Sequence, residues 1–443
     1  MKKNTKYKNK KVLVLGLGLS GISAINLLTK AGAEVFYHDD KEIKNSIGSN
    51  VNFENKSEME KYSFFALVKS PGIELENWYV KTAKKLKIPI ITELELASQF
   101  CDAKLIAITG TNGKTTVTRL IYEMIKRQMG EHVYMAGNIG IPFSDVVQQA
   151  CSDDYIVCEA SSFQLEFTYE FHPHIAVINN IFSHHLEHHH TFKNYVEAKS
   201  KIFTNQTLED YLVVNGSQDA SIANLIEINT NKVLFGLNLK SDQAIVYVKN
   251  NIIYYNNEEI CTKNDLLIKG NHNIENFLAA ATVAKILKVS NNKIKDVAKK
   301  FNGVEHRLEY IGEKQGCKFY NDSKSTDEEA TIVALESIGS PIILLAGGME
   351  RGDKFTSLKN HLKNVKLVEL FGENKKILQR VIESVGIKTK INDNLKEAFN
   401  DGLKQSEKGD TILLSPASAS WDQFKNFEER GQEFKKIYRD VEE

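Results

Sequence analysis

The chain has 443 residues, 42% of them apolar and 26% charged, with 57 basic and 57 acidic side chains and no formal net charge. That length exceeds one ordinary hydrophobic core and predicts two to four domains. The even charge balance argues against a broad nucleic-acid or anionic-membrane footprint, and no apolar run approaches the ~18 residues of a membrane span.

The basic start at residues 1–11 runs into a short strand and a glycine loop, so a signal peptide is not expected. Residues 11–15 read as a buried strand, 16–21 as a loop and 22–30 as a helix stopped by Gly32. A second strand at 34–38 ends in Asp39 and Asp40, and a third at 64–69 breaks at Ser70, Pro71 and Gly72. A new unit begins with a strand at 105–109, a glycine loop and a helical pattern at 117–128. Further strands are predicted at 155–158, 175–178 and 211–214, a hairpin at 245–255 turning at Asn250 and Asn251, and an apolar helix at 276–287. After a junction near Gly303 come strands at 317–320, 342–345, 367–371 and 411–414, a helix at 328–336 and a terminal amphipathic helix. Strands alternating with helices imply an α/β fold with largely parallel sheets, in three domains in series: 1–97, 98–303 and 304–443. Five scattered cysteines (Cys101, Cys151, Cys158, Cys261, Cys317) without a C-x-x-C pair suit a reducing cytoplasm.

Chemistry concentrates where strands end. Gly110, Thr111, Asn112, Gly113, Lys114, Thr115 and Thr116 lie between a strand and a helix. Such a turn aims backbone N–H groups at phosphate oxygens, and the helix N-terminus adds partial positive charge. Lys114 would reach the outer phosphates, and the Thr115 hydroxyl would bind Mg²⁺. The spacing G-x-x-G-K-T is shorter than the usual phosphate loop, because Ile108 stands where its first glycine would be.

Gly16, Gly18 and Gly21 also follow a strand and open a helix, with Asp39 eighteen residues beyond Gly21. The pattern fits a dinucleotide fingerprint, yet a UDP diphosphate satisfies the same glycines. Five histidines, His184, His185, His188, His189 and His190, crowd one loop, with His172 and His174 upstream. Imidazole is a common zinc ligand, but no H-E-x-x-H or cysteine partner accompanies them, and a solvated loop accounts for most of them. Glu159 stands at another strand end, followed by Ser161, Ser162, Phe163 and Gln164. The polar runs 321–326 and 415–420 also follow strands; the first could simply cap the next helix.

These pieces together resemble the Mur ligases. The segments ITGTNGKTT (108–116), the Glu159 strand end, Gly270, His272, Asn273 and Asn276, His306 and Arg307, and Asp322 to Lys324 are shared with the wider superfamily that includes folylpolyglutamate ligases. Segments GLGLSG (16–21), SPGI (70–73), GNIG (137–140), EASSFQLE (159–166), AGGMERG (346–352) and SPASASWDQFKNFEERGQEF (415–434) are similar to the branch that adds D-glutamate. The resemblance spans essentially the whole chain. It implies a UDP-binding first domain, an ATP-binding central domain and a third domain that brings in the amino acid.

Carried over by position, Gly18, Leu19, Ser20, Asp39, Ser70, Pro71, Gly72, Asn138 and Ser161 would serve UDP-N-acetylmuramoyl-L-alanine. Residues 110–116 with Asn273, Asn276, Arg307 and Asp322 would hold ATP. Thr115, Glu159, His185 and Lys199 would surround Mg²⁺, with Lys199 matching a lysine that is carbamylated in the family. Lys324, Thr326, Ser420 and Phe427 would hold D-glutamate. The implied enzyme is a cytoplasmic monomer that makes an amide bond through an acyl phosphate. The chain departs from the family pattern around His185: His184 and Glu187 replace the usual acids, which leaves His189 as a further candidate. Asp327 replaces a usual Asn, and Ser418 a common Cys. Three other readings stand beside this one: a dehydrogenase, which leaves Lys114 to Thr116 unexplained; a related ligase that adds another amino acid, or glutamate to folate, against which the segment SPASASWDQF (415–424) speaks; and a zinc- or nickel-binding protein built on the histidines.

Overall fold

In a computed structural model, residues 4–39, 50–53, 56–138, 140–182, 185–216, 229–237, 239–240, 244–268 and 270–442 are described. Among them the strands form three sheets of five, nine and six. The chain divides into two compact units, Met1–Phe301 and Asn302–Glu443, so the first two sheets share one unit.

The first sheet runs, in spatial order, Val51–Asn52, Glu34–His38, Lys11–Leu15, Ala66–Lys69 and Ile90–Thr92, all parallel. Its middle strands, KVLVL and ALVK, are almost wholly buried, as expected for parallel strands covered on both faces. The central sheet runs Glu258–Thr262, Ile252–Tyr255, Val246–Lys249, Asn231–Gly236, Tyr211–Asn215, Ile175–Ile178, Lys104–Thr109, Tyr155–Glu159 and Val133–Gly137. The expected hairpin is there, with antiparallel pairing of Val246–Lys249 to Ile252–Tyr255 and left-handed Asn250 and Asn251 between them. The third sheet is Glu309–Lys314, Cys317–Asn321, Thr411–Leu414, Ile342–Ala346, Val365–Leu370 and Lys388–Ile391, parallel except for its first pair.

Helix Lys114–Met129 shows why the central elements stack as they do. Val117, Leu120, Ile121, Met124 and Ile125 recur at helical spacing and are buried. The helix packs against Asn271–Ile286, whose buried Ala279, Ala280 and Ala281 present little side-chain bulk. Truncating one of these buried leucines or isoleucines to Ala would cost about 2–5 kcal/mol. The result is a rigid seat for the loop that precedes Lys114. Among the described residues no helix is long and apolar enough to cross a membrane.

Candidate active site

The glycine loop of the first sheet is shaped mainly by the protein itself. Gly16 has φ +87°, and a Cβ there would meet Ser70 at 2.8 Å; a Cβ on Gly21 would lie 1.9 Å from the Gly16 carbonyl. Ser70 donates its hydroxyl to the Gly16 carbonyl (3.1 Å), and the Leu17 N–H donates to the Asp39 carboxylate (2.6 Å). Gly16 and Gly21 are therefore required by packing, while Gly18 and Gly72 have open space around them. Leu19 beside them is exposed, whereas Ser20 and Pro71 are half-buried or on the rim. Asp40 lies outside the described residues.

In the central sheet, Gly110 and Gly113 both have positive φ, +157° and +78°. Lys114 turns back over the loop and donates to the carbonyls of Gly110 (3.1 Å) and Thr111 (2.9 Å). Thr115, buried, donates to the Glu159 carboxylate (2.9 Å), whose other oxygen accepts from Asn138 (3.0 Å). Thr116, also buried, continues the helix. Lys199 lies on helix Phe192–Ser200 and is 2% exposed. Its amine donates to the Gly110 carbonyl (2.8 Å) and Thr109 hydroxyl (3.4 Å), and sits 4.7 Å from the Tyr195 ring centroid. Burial, with Lys114 beside it, holds the Lys199 ammonium well below its usual range, and Glu159 offsets this only in part. Lys199 thus places a buried amine close to a carboxylate and a phosphate loop.

Two residues that sequence reasoning passed over hold the loop in place. Asn179 donates to the Asn112 carbonyl (3.0 Å) and to Asn276 (2.7 Å). The Asn180 side chain accepts from the Asn112 N–H (2.8 Å), and its carbonyl accepts from the Thr111 N–H (2.9 Å). Their signal was present: two asparagines directly after the strand Ile175–Ile178, at the same sheet edge as Thr109 and Glu159. Asn276, buried, also donates to Asn273 (3.2 Å), so both expected asparagines gather behind Gly113.

The histidines separate into distinct environments. His185 opens the short helix Leu186–His189 in a left-handed conformation (φ 53°), its ring 5.0 Å from Phe163. His189 is buried against Ser162 (3.0 Å), and His188 pairs with Glu166 (2.7 Å). His190 is exposed, and His172 pairs with Asp210 (2.7 Å). A purely solvated loop is thus ruled out for His188 and His189. Ser161, expected to touch substrate, closes a capping box with Gln164 at the start of helix Ser162–Leu165.

In the second unit, Asp322 is a fully buried brace. It accepts from Ser325 (2.5 Å), Ser415 (2.7 Å) and the Leu308 N–H (2.9 Å). Burial raises its carboxyl to about 6 against those bonds and against Arg307, which lies close enough to lower it. The following helix is capped by Asp327, which accepts from the Ala330 N–H (2.8 Å); the cap reading of the run 321–326 is corrected accordingly. Lys324 lies over the Phe427 ring (5.7 Å), and the Phe427 carbonyl accepts from Ser323 (2.8 Å). Ser420 is buried and Thr326 half-buried. Arg430, fully buried and unnoticed in the sequence, ties these loops together: it donates to the Ser323 hydroxyl (3.0 Å), the Ser323 carbonyl (2.8 Å) and the Ser418 carbonyl (3.0 Å).

A strand-end phosphate loop with a buried carboxylate and a buried lysine beside it marks an ATP-using enzyme that manages strong negative charge. Residues 108–284 match the Mur ligase middle domain, and 306–418 match the Mur ligase glutamate ligase domain. The chain belongs to the Mur ligase family and is an ATP-dependent, amide-bond-forming ligase. It is 43% identical to the UDP-N-acetylmuramoylalanine--D-glutamate ligase of Listeria monocytogenes serotype 4b (strain F2365), over 98% of this chain and 97% of that protein. The enzyme of that name from Bacillus thuringiensis (strain Al Hakam) is 42% identical, over 98% of each. Among solved structures, UDP-N-acetylmuramate-alanine ligase MurC from Thermotoga maritima aligns with TM-score 0.59 at 17% identity, over 97% of this chain and 99% of that one. MurF ligase from Thermotoga maritima in complex with ADP gives 0.56 at 17%, over 99% and 97%. At that identity the two structures speak for the fold alone.

Proposed function

We infer that this chain joins D-glutamate to UDP-N-acetylmuramoyl-L-alanine at the expense of ATP, releasing ADP and phosphate, as a cytoplasmic step of peptidoglycan precursor synthesis. The observation that carries the reading is the cluster of Lys114, Thr115, Glu159 and Lys199 around one phosphate loop, in a chain similar over nearly its full length to enzymes of that name.

A carboxylate resists an amine because its charge repels the nucleophile and oxide leaves poorly. Transfer of the γ-phosphoryl group of ATP to the substrate carboxylate gives an acyl phosphate. The amine of D-glutamate attacks its carbonyl carbon, loses a proton, and the C–O bond to phosphate breaks. Lys114 and the N–H groups of Gly113 to Thr116 offset the charge as two anions approach. The residues present fit a phosphate chain: Gly110 and Gly113 hold the positive φ that such a turn needs, and Lys114 stands at the N-terminus of helix Lys114–Met129.

Thr115, Glu159 and His185 would hold Mg²⁺, which when bound neutralises phosphate charge. The buried Lys199 amine is suited to attack the carbon of CO₂ and release a proton, becoming an N-carboxylate that adds an anionic oxygen ligand. Asn138 would steady Glu159, and Ser161 would meet substrate through its backbone end of the capped helix. Arg307 and Asp322 would contact the nucleotide, while Lys324, Thr326, Ser420 and Phe427 would receive D-glutamate. The working divisions would be 1–97, 98–303 and 304–443, in a monomer.

The test is phosphate release from ATP with UDP-N-acetylmuramoyl-L-alanine, comparing D-Glu, L-Glu, L-Lys, meso-diaminopimelate and L-Ala. Release with D-Glu alone is expected. Release with another amino acid, or with L-Glu as well as D-Glu, refutes the assignment.

A further inference from the structure

One cluster of metal-binding side chains has no part in the reading above. Ser161 caps the start of helix Ser162–Leu165, and Glu166 is its C-cap. The helix Leu186–His189 brings His188 and His189 to face it. One ligand atom from each of Glu166, His188 and His189 lies within 4.8 Å of the other two. The Phe163 ring backs both imidazoles, at 4.5 Å and 5.7 Å, and Tyr195 flanks His189 at 5.4 Å.

We propose that Glu166, His188 and His189 form a site for one borderline transition-metal ion of the zinc class, separate from the oxygen-rich surroundings of Thr115 and Glu159. Two imidazoles and one carboxylate suit Zn²⁺, Co²⁺ or Ni²⁺, whereas Mg²⁺ favours oxygen donors in octahedral order. Zinc–nitrogen bonds of about 2.0–2.1 Å put tetrahedral ligand atoms roughly 3.4 Å apart, so closing the triad asks for movements of about an ångström, the scale of a side-chain adjustment. The His189 ring is also held by Ser162 (3.0 Å), and the Glu166 backbone by Lys201 (2.5 Å). Ordered supports of this kind fix ligand orientation.

Charge opposes loading in part, because Lys69 and Lys201 both act on the Glu166 carboxylate that the metal would share. His189 is buried while the side chains of His188 and Glu166 keep 15% and 26% exposure, leaving a way in and room for a water as fourth ligand. The site stands whether or not His185 and Lys199 serve the ligase.

Cobalt provides the probe, because tetrahedral Co²⁺ absorbs visibly and octahedral Co²⁺ hardly does. Co²⁺ is titrated into the full-length, untagged chain at saturating Mg²⁺. One equivalent with a tetrahedral band is expected. Glu166→Gln and His188→Phe should each weaken binding tenfold or more with unchanged melting, His188→Gln replacing the latter if it misfolds. His185→Ala and Lys199→Ala should bind as the parent does. No tetrahedral band, a band untouched by Glu166→Gln and His188→Phe, or one abolished by His185→Ala would overturn the proposal.

Discussion

Gly113→Ala tests the phosphate loop at its tightest point. Gly113 sits at φ +78° at the head of helix Lys114–Met129, a left-handed conformation that costs a non-glycine residue about 1–2 kcal/mol. The new Cβ would lie 2.2 Å from Asn276 Oδ1 and 2.5 Å from Asn179 Nδ2. Those atoms belong to the 2.7 Å bond between the two asparagines, and parting them removes about 1 kcal/mol more. The sum, about 2–3 kcal/mol, corresponds to a melting-temperature drop of roughly 3–5 °C for the unit Met1–Phe301. Asn179 also holds the Asn112 carbonyl, so the loop shifts with it. A displacement near 1 Å can cost about a hundredfold in turnover. Calorimetry and ATP-dependent phosphate release are the assays. Gly113→Ala combined with Asn276→Ala relieves the clash, so the pair should destabilise by less than the sum of the single changes. A Gly113→Ala protein that melts within 1 °C of the parent (~0.6 kcal/mol) and turns over normally would refute the reasoning.

Lys199→Ala should be nearly inactive, and formate or acetate should restore part of the activity by returning an anionic oxygen to the site; full activity without either would mean the lysine is only packing. Arg430→Met should leave three buried acceptors on Ser323 and Ser418 unpaired, at about 1–3 kcal/mol each at most; Arg430→Lys should recover part of the lost melting temperature, and an unchanged melt for Arg430→Met would refute the clamp. Ser420→Ala should raise KM for D-Glu roughly tenfold to a hundredfold, in line with a lost bond to a charged group, and leave KM for ATP alone; parallel rises in both would place Ser420 elsewhere. Asp322 has a folded pKa of about 6 against 3.8 unfolded, so its contribution is fully present below pH 3.8 and is lost as pH rises through about 6. That difference is worth on the order of 3 kcal/mol. The parent should therefore lose stability between pH 4 and pH 7 relative to Asp322→Asn, and parallel stability–pH curves in denaturant would refute the raised pKa.

Local chemistry was legible in the sequence because it is written in neighbouring residues. Apolar runs bounded by glycine and polar residues determined the strands Lys11–Leu15, Ile175–Ile178 and Thr411–Leu414, whose bounds match the expectation. A glycine turn between strand and helix placed Lys114 and Thr115, and parallel topology put Glu159 at the same sheet edge. What the sequence left undetermined depends on contacts between distant residues. Asn179 meets Asn276 across 97 positions, and Arg430 meets Ser323 across 107, with no periodicity linking either pair. The glycine loop looked like a ligand fingerprint, yet Gly16 and Gly21 are also demanded by Ser70 and by the loop's own carbonyl. Lys199 stands out in the sequence only through its match to the family's carbamylated lysine. Only the tertiary structure buries its amine against Gly110 and beside Lys114, and it is that loss of solvent that disfavours its charged form.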